Sequence, residues 1–226
     1  MAVYFISGID TDSGKTIVTG LLANYIKFIK KESVITQKIA QTGCGELSED
    51  IYIHRQLMKS ELFDEDKTGV TVPYKFKFPA SPHLAAALEN KKINTSIINE
   101  STQKLLSKYD NVIIEGVGGL FVPLFDAYTV IDYIKDMNYP LILVSSSKLG
   151  SINHTLLSIE ALQNRNIDLR GIIYNNFFSG NEIISQDTKI IISKFLEKYG
   201  YDNNIVEIPK IDNFEKSPFI DFSKLV

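Results

Sequence analysis

A glycine-rich loop near the start of the chain constrains the fold more than any other feature. The apolar run Val3–Ser7 leads into Gly8-Ile9-Asp10-Thr11-Asp12-Ser13-Gly14-Lys15-Thr16, and a helical pattern follows. Gly14 lets the backbone approach an anion closely, and the first-turn N–H groups of the helix lack other partners. Lys15 adds positive charge over the terminal phosphates of a nucleotide, and the Thr16 hydroxyl can ligate magnesium. The sequence therefore predicts a magnesium nucleoside triphosphate on this loop.

The spacing of the loop narrows the class of nucleotide-binding protein. Five residues separate Gly8 from Gly14, whereas the general motif has four. The early extra lysine of the partitioning and division ATPases is missing between Gly8 and Ser13. The Asn-Lys-x-Asp signature of guanine-specific proteins is also missing, because Asn175-Asn176-Phe177-Phe178 does not match it. Adenine is the favoured base, although the loop alone does not select it.

Short apolar runs alternate with longer helical patterns along the chain. The predicted strands are Val3–Ser7, Val34–Lys38, Asn111–Glu115, Leu141–Ser145, Gly171–Tyr174 and Ile205–Ile208. The predicted helices are Lys15–Phe28, Asp50–Met58, Leu84–Glu89, Ile97–Lys108, Ile152–Gln163 and Ile183–Lys198. This alternation favours an α/β fold of the P-loop NTPase kind, with a mostly parallel sheet and helices on both faces. A length of 226 residues suits one domain, 1–226.

Composition and charge exclude several functional classes. The net charge of −3 gives no broad reason to expect nucleic acid or an anionic membrane as a partner. No apolar run approaches the roughly 20 residues of a membrane span. The single cysteine, Cys44, rules out an internal disulfide and a cysteine-rich zinc site. We therefore expect a soluble, cytoplasmic protein.

Three charged residues, two at strand ends and one at the start of a predicted helix, are candidates for the same site. Glu115 ends an apolar strand and precedes Gly116-Val117-Gly118-Gly119. It suits the metal-side acid of a P-loop protein, with a strand-end turn as the alternative. Asp50 is either a second metal carboxylate or an acid that stabilises a helix start. Lys38 is either a charge clamp for a transferring group or a surface lysine.

Two further helix starts, and the histidines near them, have simpler interpretations. Ser81-Pro82-His83 has the pattern of a helix N-cap with proline in the first turn, so His83 is interpreted as structural. His54 is interpreted as a surface or core residue. Leu149-Gly150-Ser151-Ile152-Asn153-His154 opens another helix, whose free N–H groups suit a carboxylate.

Taken in order, these segments resemble the dethiobiotin synthetase family. The segments that carry the resemblance are Gly8–Thr16, Lys38–Gly43, Ser81–Ala86, Glu115–Gly119 and Leu149–His154. The five-residue spacer of the loop is the form that this family has. The resemblance implies an enzyme that joins 7,8-diaminononanoate and CO2 at the expense of ATP, closes a cyclic urea and releases ADP and phosphate.

The resemblance also implies roles for individual residues. The implied magnesium ligands are Thr16, Asp50 and Glu115. The implied ATP contacts are Asp12, Ser13, Gly14, Lys15, Thr16, Ile17, Asp50, Glu115, Gly116, Val117 and Gly118 around the phosphates, and Asn175, Asn176, Pro209, Lys210 and Ile211 around adenine. The implied catalytic groups are Lys38, Lys15 and Thr11, with Thr42 also holding the diamine. The family works as a homodimer, and the substrate carboxylate is received across the interface by Gly150, Ser151, Ile152 and Asn153.

Two positions depart from the family pattern. Ile39 follows Lys38 where the family usually has proline, and Asp12 stands where many members have glutamate. Residues 177–204 show no pattern that aligns with the family.

One competing function is another ATP-dependent amide ligase, but those with a glutamine-hydrolysing domain need more chain than is present. The other is a nucleotide-gated switch or scaffold, whose mobile element would have to lie in residues 176–204.

Overall fold

The structure is a computed structural model that describes residues 1–178, 181–214 and 217–226. The strands in these ranges are β1 Ala2–Gly8, β2 Val34–Lys38, β3 Gln41–Thr42, β4 Lys75–Phe76, β5 Asn111–Gly119, β6 Pro123–Phe125, β7 Tyr128–Thr129, β8 Leu141–Ser146, β9 Leu169–Asn175 and β10 Ile205–Ile208. The helices are α1 Lys15–Tyr25, α2 Glu49–Leu57, α3 Asp64–Lys67, α4 Pro82–Leu88, α5 Thr95–Leu106, α6 Val130–Met137, α7 Ser151–Gln163 and α8 Glu182–Lys198.

The central sheet confirms the predicted fold class. Within the described ranges, six strands form one parallel sheet in the order β10-β9-β8-β1-β5-β2. These are the six strands that the apolar runs predicted, although β5 continues to Gly119 and β9 begins earlier, at Leu169. The pairs β3–β4 and β6–β7 were not predicted, because strands of two or three residues are too short to show an alternation.

Buried apolar clusters cover both faces of the sheet. Successive side chains of a strand point to opposite faces, so Phe5 of β1 packs in one cluster and Ile6 in the other. The Phe5 cluster also contains Ile98 of α5 and Ile131 of α6. The Ile6 cluster contains Leu22 of α1 and residues from the end of the chain. Burial of both faces explains why the strands are continuously apolar rather than alternating.

The position of β1 and the register of its neighbours bring the charged strand ends together. β1 lies between β8 and β5, and β2 lies on the far side of β5. The register pairs Lys38 of β2 with Glu115 of β5, and Glu115 with Ile6 of β1. The carboxyl ends of these three strands therefore form one rim, where ligands of open α/β sheets bind.

A close contact between α1 and α2 positions α2, which carries Asp50, over this rim. A Cβ at Gly20 of α1 would lie 2.6 Å from Cδ1 of Leu57 on α2, so only glycine permits this approach. α1 ends earlier than predicted, and the chain continues as a π-helical turn, Ile26–Lys30. Lys31 ends that turn in the left-handed conformation (φ 58°).

Two helices were not predicted, α3 and α6, although Thr129 and Asp132 form a capping box at the start of α6. The segment 176–204 contains a 3₁₀ turn, Asn176–Phe178, and the predicted helix α8, which Asn181 caps. Residues 179 and 180 lie outside the described residues. Over the described ranges, every helix is too short or too polar to cross a bilayer.

Candidate active site

The glycine-rich loop joins β1 to α1 and is held by a side chain at the end of β9. Gly14 adopts a left-handed conformation (φ 100°), and a Cβ at this position would collide with the side-chain amide of Asn175 at the end of β9. Asn175 Nδ2 donates a 2.9 Å hydrogen bond to the Ser13 carbonyl. The backbone N–H groups at the start of α1 therefore face the cavity in a fixed orientation, as anion binding requires.

Lys15 is largely buried beside the loop. Its Nζ donates a 2.9 Å hydrogen bond to the Asp10 carbonyl, and 6% of the residue is exposed. Burial, reinforced by the nearby charge of Lys38, lowers the pKa of Lys15 to about 8. Because burial destabilises the charged form of Lys15, an anion bound beside it would stabilise that charge.

Two carboxylates, a hydroxyl and a second lysine meet on the other side of the loop. Thr16 Oγ1 lies 3.1 Å from both Asp50 Oδ1 and Glu115 Oε1. Lys38 Nζ lies 2.8 Å from Asp50 Oδ2 and 2.7 Å from Glu115 Oε1. Lys38 and Glu115 are buried, whereas the Asp50 side chain is 22% exposed toward the cavity.

The electrostatics of this cluster keep Glu115 and Lys38 ionised. Burial alone would raise the pKa of Glu115, but the charge of Lys38 and a hydrogen bond from His54 outweigh it and lower that pKa to about 2. Burial would likewise lower the pKa of Lys38, but the negative charges of Glu115 and Asp50 outweigh it and raise that pKa above its usual value. At neutral pH Glu115 is therefore a carboxylate and Lys38 an ammonium group.

The oxygens of this cluster suit a small divalent cation. Thr16, Asp50 and Glu115 supply one hydroxyl and two carboxylates, which are the hard donors that Mg²⁺ prefers. Among the residues that the structure describes, no three histidine, cysteine or acidic side chains gather in a metal-binding cluster. A magnesium ion here would therefore depend on phosphate oxygens for its remaining ligands, as it does in many nucleotide sites.

A cavity of about 570 Å³ lies above the loop and this cluster. It is polar at the end formed by Lys15, Lys38, Asp50 and Glu115. Its opposite end is apolar and is lined by Ile53, Phe177, Phe178, Ile208, Ile211 and Phe214. A volume and polarity of this kind suit a ligand with an anionic end and a flat apolar end.

Most residues that the sequence singled out line this one cavity. They are Thr11, Asp12, Gly14, Lys15, Thr16, Ile17, Lys38, Thr42, Asp50, Glu115, Val117, Gly118, Asn175, Pro209 and Ile211. A smaller cavity of about 290 Å³ lies on the other side of the loop and is lined by Ser13 and Ser151. Thr11 and Asp12 line both cavities, so the start of α7 is adjacent to the loop.

The other predicted residues do not line the main cavity. Gly116 is buried within β5, and Lys210 is exposed and pairs with Asp212. Asn176 is turned away from the cavity, because its side chain donates to Glu207 and accepts from Ser185. The remaining residues at the start of α7 line neither cavity: Gly150, Ile152 and Asn153.

Asn175 has a contact that the sequence did not predict. It was expected beside adenine, and it does line the cavity. In addition, its Nδ2 binds the Ser13 carbonyl, and its Oδ1 accepts a 3.1 Å hydrogen bond from the Phe177 N–H. The side chain therefore ties the glycine-rich loop to the turn that follows β9.

Sequence reasoning missed His54 and most of the apolar end. His54 is fully buried, and its Nε2 lies 2.7 Å from Glu115 Oε2. A signal was present, because His54 follows Asp50 by four residues on α2 and the two share one helix face. Phe177, Phe178 and Phe214 carried no motif. His83 is exposed, and Ser81 precedes α4 without a side-chain capping bond.

The fold and the loop define the class of protein. A parallel sheet with a phosphate-binding loop between β1 and α1, and an acid on the adjacent β5, is the architecture of a P-loop NTPase. A ParA family ATPase from Chlorobium tepidum TLS has a similar fold, with a TM-score of 0.55 and 14% identity over 93% of this chain and 85% of that one.

Sequence similarity identifies the family within this class. A family model described as an AAA domain matches residues 2–215. ATP-dependent dethiobiotin synthetase BioD of Chlorobaculum tepidum is 51% identical over 93% of this chain and 86% of its own length. ATP-dependent dethiobiotin synthetase BioD 2 of Pasteurella multocida is 47% identical over 91% of this chain and 96% of its own. The chain belongs to the ATP-dependent dethiobiotin synthetase family.

Proposed function

We propose that this chain is an ATP-dependent cyclo-ligase that converts 7,8-diaminononanoate and CO2 to dethiobiotin in biotin biosynthesis, releasing ADP and phosphate. The names of its relatives support this reaction. The observation that carries the proposal is the convergence of Lys15, Lys38 and the first turn of α1 on one cavity. A carbamate and a triphosphate, both anions, have to meet in such a place.

The nucleotide would lie with its phosphates on the loop and its base at the apolar end. The residues that line the cavity where the phosphates would lie are Asp12, Gly14, Lys15, Thr16, Ile17 and Gly118. Thr16, Asp50 and Glu115 would hold Mg²⁺, which when bound supplies positive charge to the β and γ phosphates. Pro209 and Ile211, together with Phe177, would contact adenine.

The first step requires a neutral amine. With a pKa near 10, removing the proton of an alkylamine at pH 7 costs on the order of 4 kcal/mol. The positive charges of Lys15 and Lys38 disfavour a protonated amine beside them and so reduce this cost. The amine nitrogen then attacks the carbon of CO2, an N–C bond forms, and loss of the N–H proton leaves a carbamate anion.

The remaining steps follow from the charge of that carbamate. Lys38 would hold the carbamate oxygens while one of them attacks the γ phosphorus, forming an O–P bond and releasing ADP. Thr11 and Thr42, which line the same cavity, would hydrogen-bond to the diamine. The second amine attacks the carbamoyl carbon, a C–N bond closes the five-membered ring, and phosphate leaves with its electron pair. This sequence needs no covalent enzyme intermediate, so Cys44 has no role in it.

A homodimer is part of the proposal. Leu149, Leu157 and Phe121 are 90%, 56% and 55% exposed; Leu149 precedes α7, and Leu157 and Phe121 line a shallow cavity farther along it. Large apolar side chains so exposed along one helix are typical of an interface. Gly150–Asn153 of one protomer would then offer free N–H groups to the carboxylate of a diamine bound to its partner. We further propose that residues 1–226 act as one domain in the cytoplasm.

ADP release with and without each co-substrate tests the proposed reaction. We expect release to require both the diamine and bicarbonate, and dethiobiotin to accumulate in equal amount, as mass spectrometry would detect. Turnover that ignores the diamine would instead indicate a nucleotide-gated switch. Turnover that requires a different amine or acid would indicate another amide ligase.

A further inference from the structure

His54 lies directly behind the proposed metal ligands, although the reaction above makes no use of it. The ring is fully buried, with Nε2 2.7 Å from Glu115 Oε2 and Nδ1 3.0 Å from Thr36 Oγ1. Thr36 belongs to β2 and Glu115 to β5, so the ring bridges two adjacent strands from α2. Its position is therefore fixed by three elements of the fold.

A buried ion pair lies behind Thr36 and donates a hydrogen bond to its hydroxyl oxygen. Arg55 Nη1 donates a 2.8 Å hydrogen bond to Thr36 Oγ1, and Arg55 is held by Asp66 through bonds of 2.8 Å from Nε and Nη2. Because a guanidinium group only donates, the Thr36 oxygen is the acceptor. The hydroxyl keeps its hydrogen to donate, and Nδ1 of His54 lies 3.0 Å from its oxygen.

A carboxylate only accepts, so the contact with Glu115 requires a hydrogen on Nε2 of His54. An Nδ1 that accepts from Thr36 leaves the ring hydrogen on Nε2, which can then donate to Glu115 Oε2. The other carboxylate oxygen, Oε1, faces Thr16 and Lys38 in the cavity. Asp50 has no comparable support, since its bonds are to Thr16 and Lys38 themselves.

We propose that His54 is a positioning residue, which occupies Oε2 of Glu115 so that Oε1 is presented to the magnesium of the bound nucleotide. The proposal rests on the metal role assigned to Glu115 above. Histidine and carboxylate partners behind a metal ligand commonly fix its orientation, and their loss typically costs about 10–100-fold in metal affinity. Here the histidine would support the carboxylate, and the Asp66–Arg55–Thr36 chain would in turn support the histidine.

Paired amide substitutions separate this role from simple packing. His54→Gln can place an amide N–H near the position of Nε2 and donate to Glu115. His54→Asn is one methylene shorter, so its amide lies near the position of Nδ1 and does not reach Glu115. Thr36→Val removes the hydroxyl that contacts Nδ1 of His54 and nearly preserves the shape of the side chain.

The measurement is the affinity for a non-hydrolysable ATP analogue, determined by calorimetry with excess magnesium and again with EDTA. The ratio of the two affinities reports the contribution of the metal, and a misfolded fraction cancels from it. We expect His54→Asn to reduce this ratio about 10–100-fold relative to wild type. His54→Gln should restore most of it, Thr36→Val should reduce it by a smaller factor, and the affinity in EDTA should be the same in all four proteins.

The outcomes distinguish this inference from the proposed function. An unchanged ratio in His54→Asn, or equal losses in the Asn and Gln variants, would overturn the positioning role and leave the proposed reaction intact. An unchanged ratio in Thr36→Val would show that the Thr36 hydroxyl does not help to position His54. A wild-type protein whose affinity is indifferent to magnesium would overturn the metal role of Glu115, and the inference with it.

Discussion

The two ends of the main cavity are built in different ways. At the phosphate end, Lys15, Lys38 and Glu115 are 6%, 5% and 0% exposed, and each has a polar partner within 3 Å. At the base end, Phe177 and Phe178 are 49% and 43% exposed, and the wall is mainly apolar. One end is a buried charged network, and the other is a partly open apolar surface.

This difference indicates which end of the cavity tolerates substitution. A buried charge is stable only with partners at hydrogen-bonding distance, so the phosphate end depends on strand register and on the contact between α1 and α2. An apolar wall needs only approximate shape, because dispersion and apolar burial are not directional. Substitutions should therefore have steep effects at the phosphate end and shallow effects at the base end.

The largest effect is expected for Lys15→Ala. The substitution removes the cation that faces the phosphates from a largely buried position. Truncating one partner of a buried, hydrogen-bonded charge pair costs roughly 2–5 kcal/mol, so nucleotide affinity should fall by about 10³-fold. Calorimetry with a non-hydrolysable ATP analogue measures this loss. Lys67→Ala, which removes an exposed lysine paired with Asp64, is the control and should bind normally. A loss below tenfold for Lys15→Ala would contradict the comparison.

Lys38→Ala should reduce turnover rather than nucleotide binding. Lys38 lies opposite Glu115 in the strand register and is proposed to hold the carbamate during phosphoryl transfer. Removing one preorganised group of this kind lowers kcat by about 100-fold. Steady-state ADP release and calorimetry, made on the same preparation, separate the two quantities. Thermal unfolding checks that Glu115, deprived of one cation, has not destabilised the fold. An unchanged steady-state rate would refute the role.

The same contrast explains how much of the site could be predicted from sequence. The loop Gly8–Thr16 was recognisable because phosphate binding requires particular residues at fixed local spacing. That Lys38 contacts Glu115 depends on strand order and register, which no local pattern specifies, so its role stayed open. His54 was missed because a single buried histidine has no motif, even though its spacing from Asp50 placed both on one face.

The fold shows a similar division. Six apolar runs predicted the six strands of the main sheet, because strands buried on both faces carry a strong signal. The short helix α6 was missed although its capping box is visible. Phe177 and Phe214 reach the base end from a 3₁₀ turn and from the segment after β10, where shape rather than sequence motif determines the contact.

Nucleotide affinity should depend on pH through Lys15, which lies at the phosphate end of the cavity. Burial and the nearby Lys38 lower the pKa of Lys15 to about 8 in the free protein, and a bound triphosphate favours its protonated form. Affinity should therefore be constant below pH 8 and fall by about tenfold at pH 9, where binding must first take up a proton. Calorimetry in two buffers of different ionisation enthalpy detects that uptake.

A matched variant tests the cause of this pH dependence. Lys38 is the second cause of the lowered pKa of Lys15, after burial. In Lys38→Ala, the break in the affinity profile should move to higher pH because one repulsive charge is gone. A profile that is flat to pH 9.5 in the wild-type protein would contradict the assignment of Lys15 as the titrating group.

The smallest effect is expected for Phe177→Ala at the base end. Its ring is half exposed, so it contributes only part of the 1–3 kcal/mol that an aromatic side chain stacked on a base typically supplies. We expect a loss of about 1 kcal/mol, or roughly fivefold in affinity for the ATP analogue, with kcat unchanged. Phe177→Leu keeps an apolar wall without a flat ring and should fall between wild type and alanine. A loss as large as that of Lys15→Ala would mean that the base end is as finely positioned as the phosphate end. The contrast between a charged network and a tolerant apolar surface would then fail.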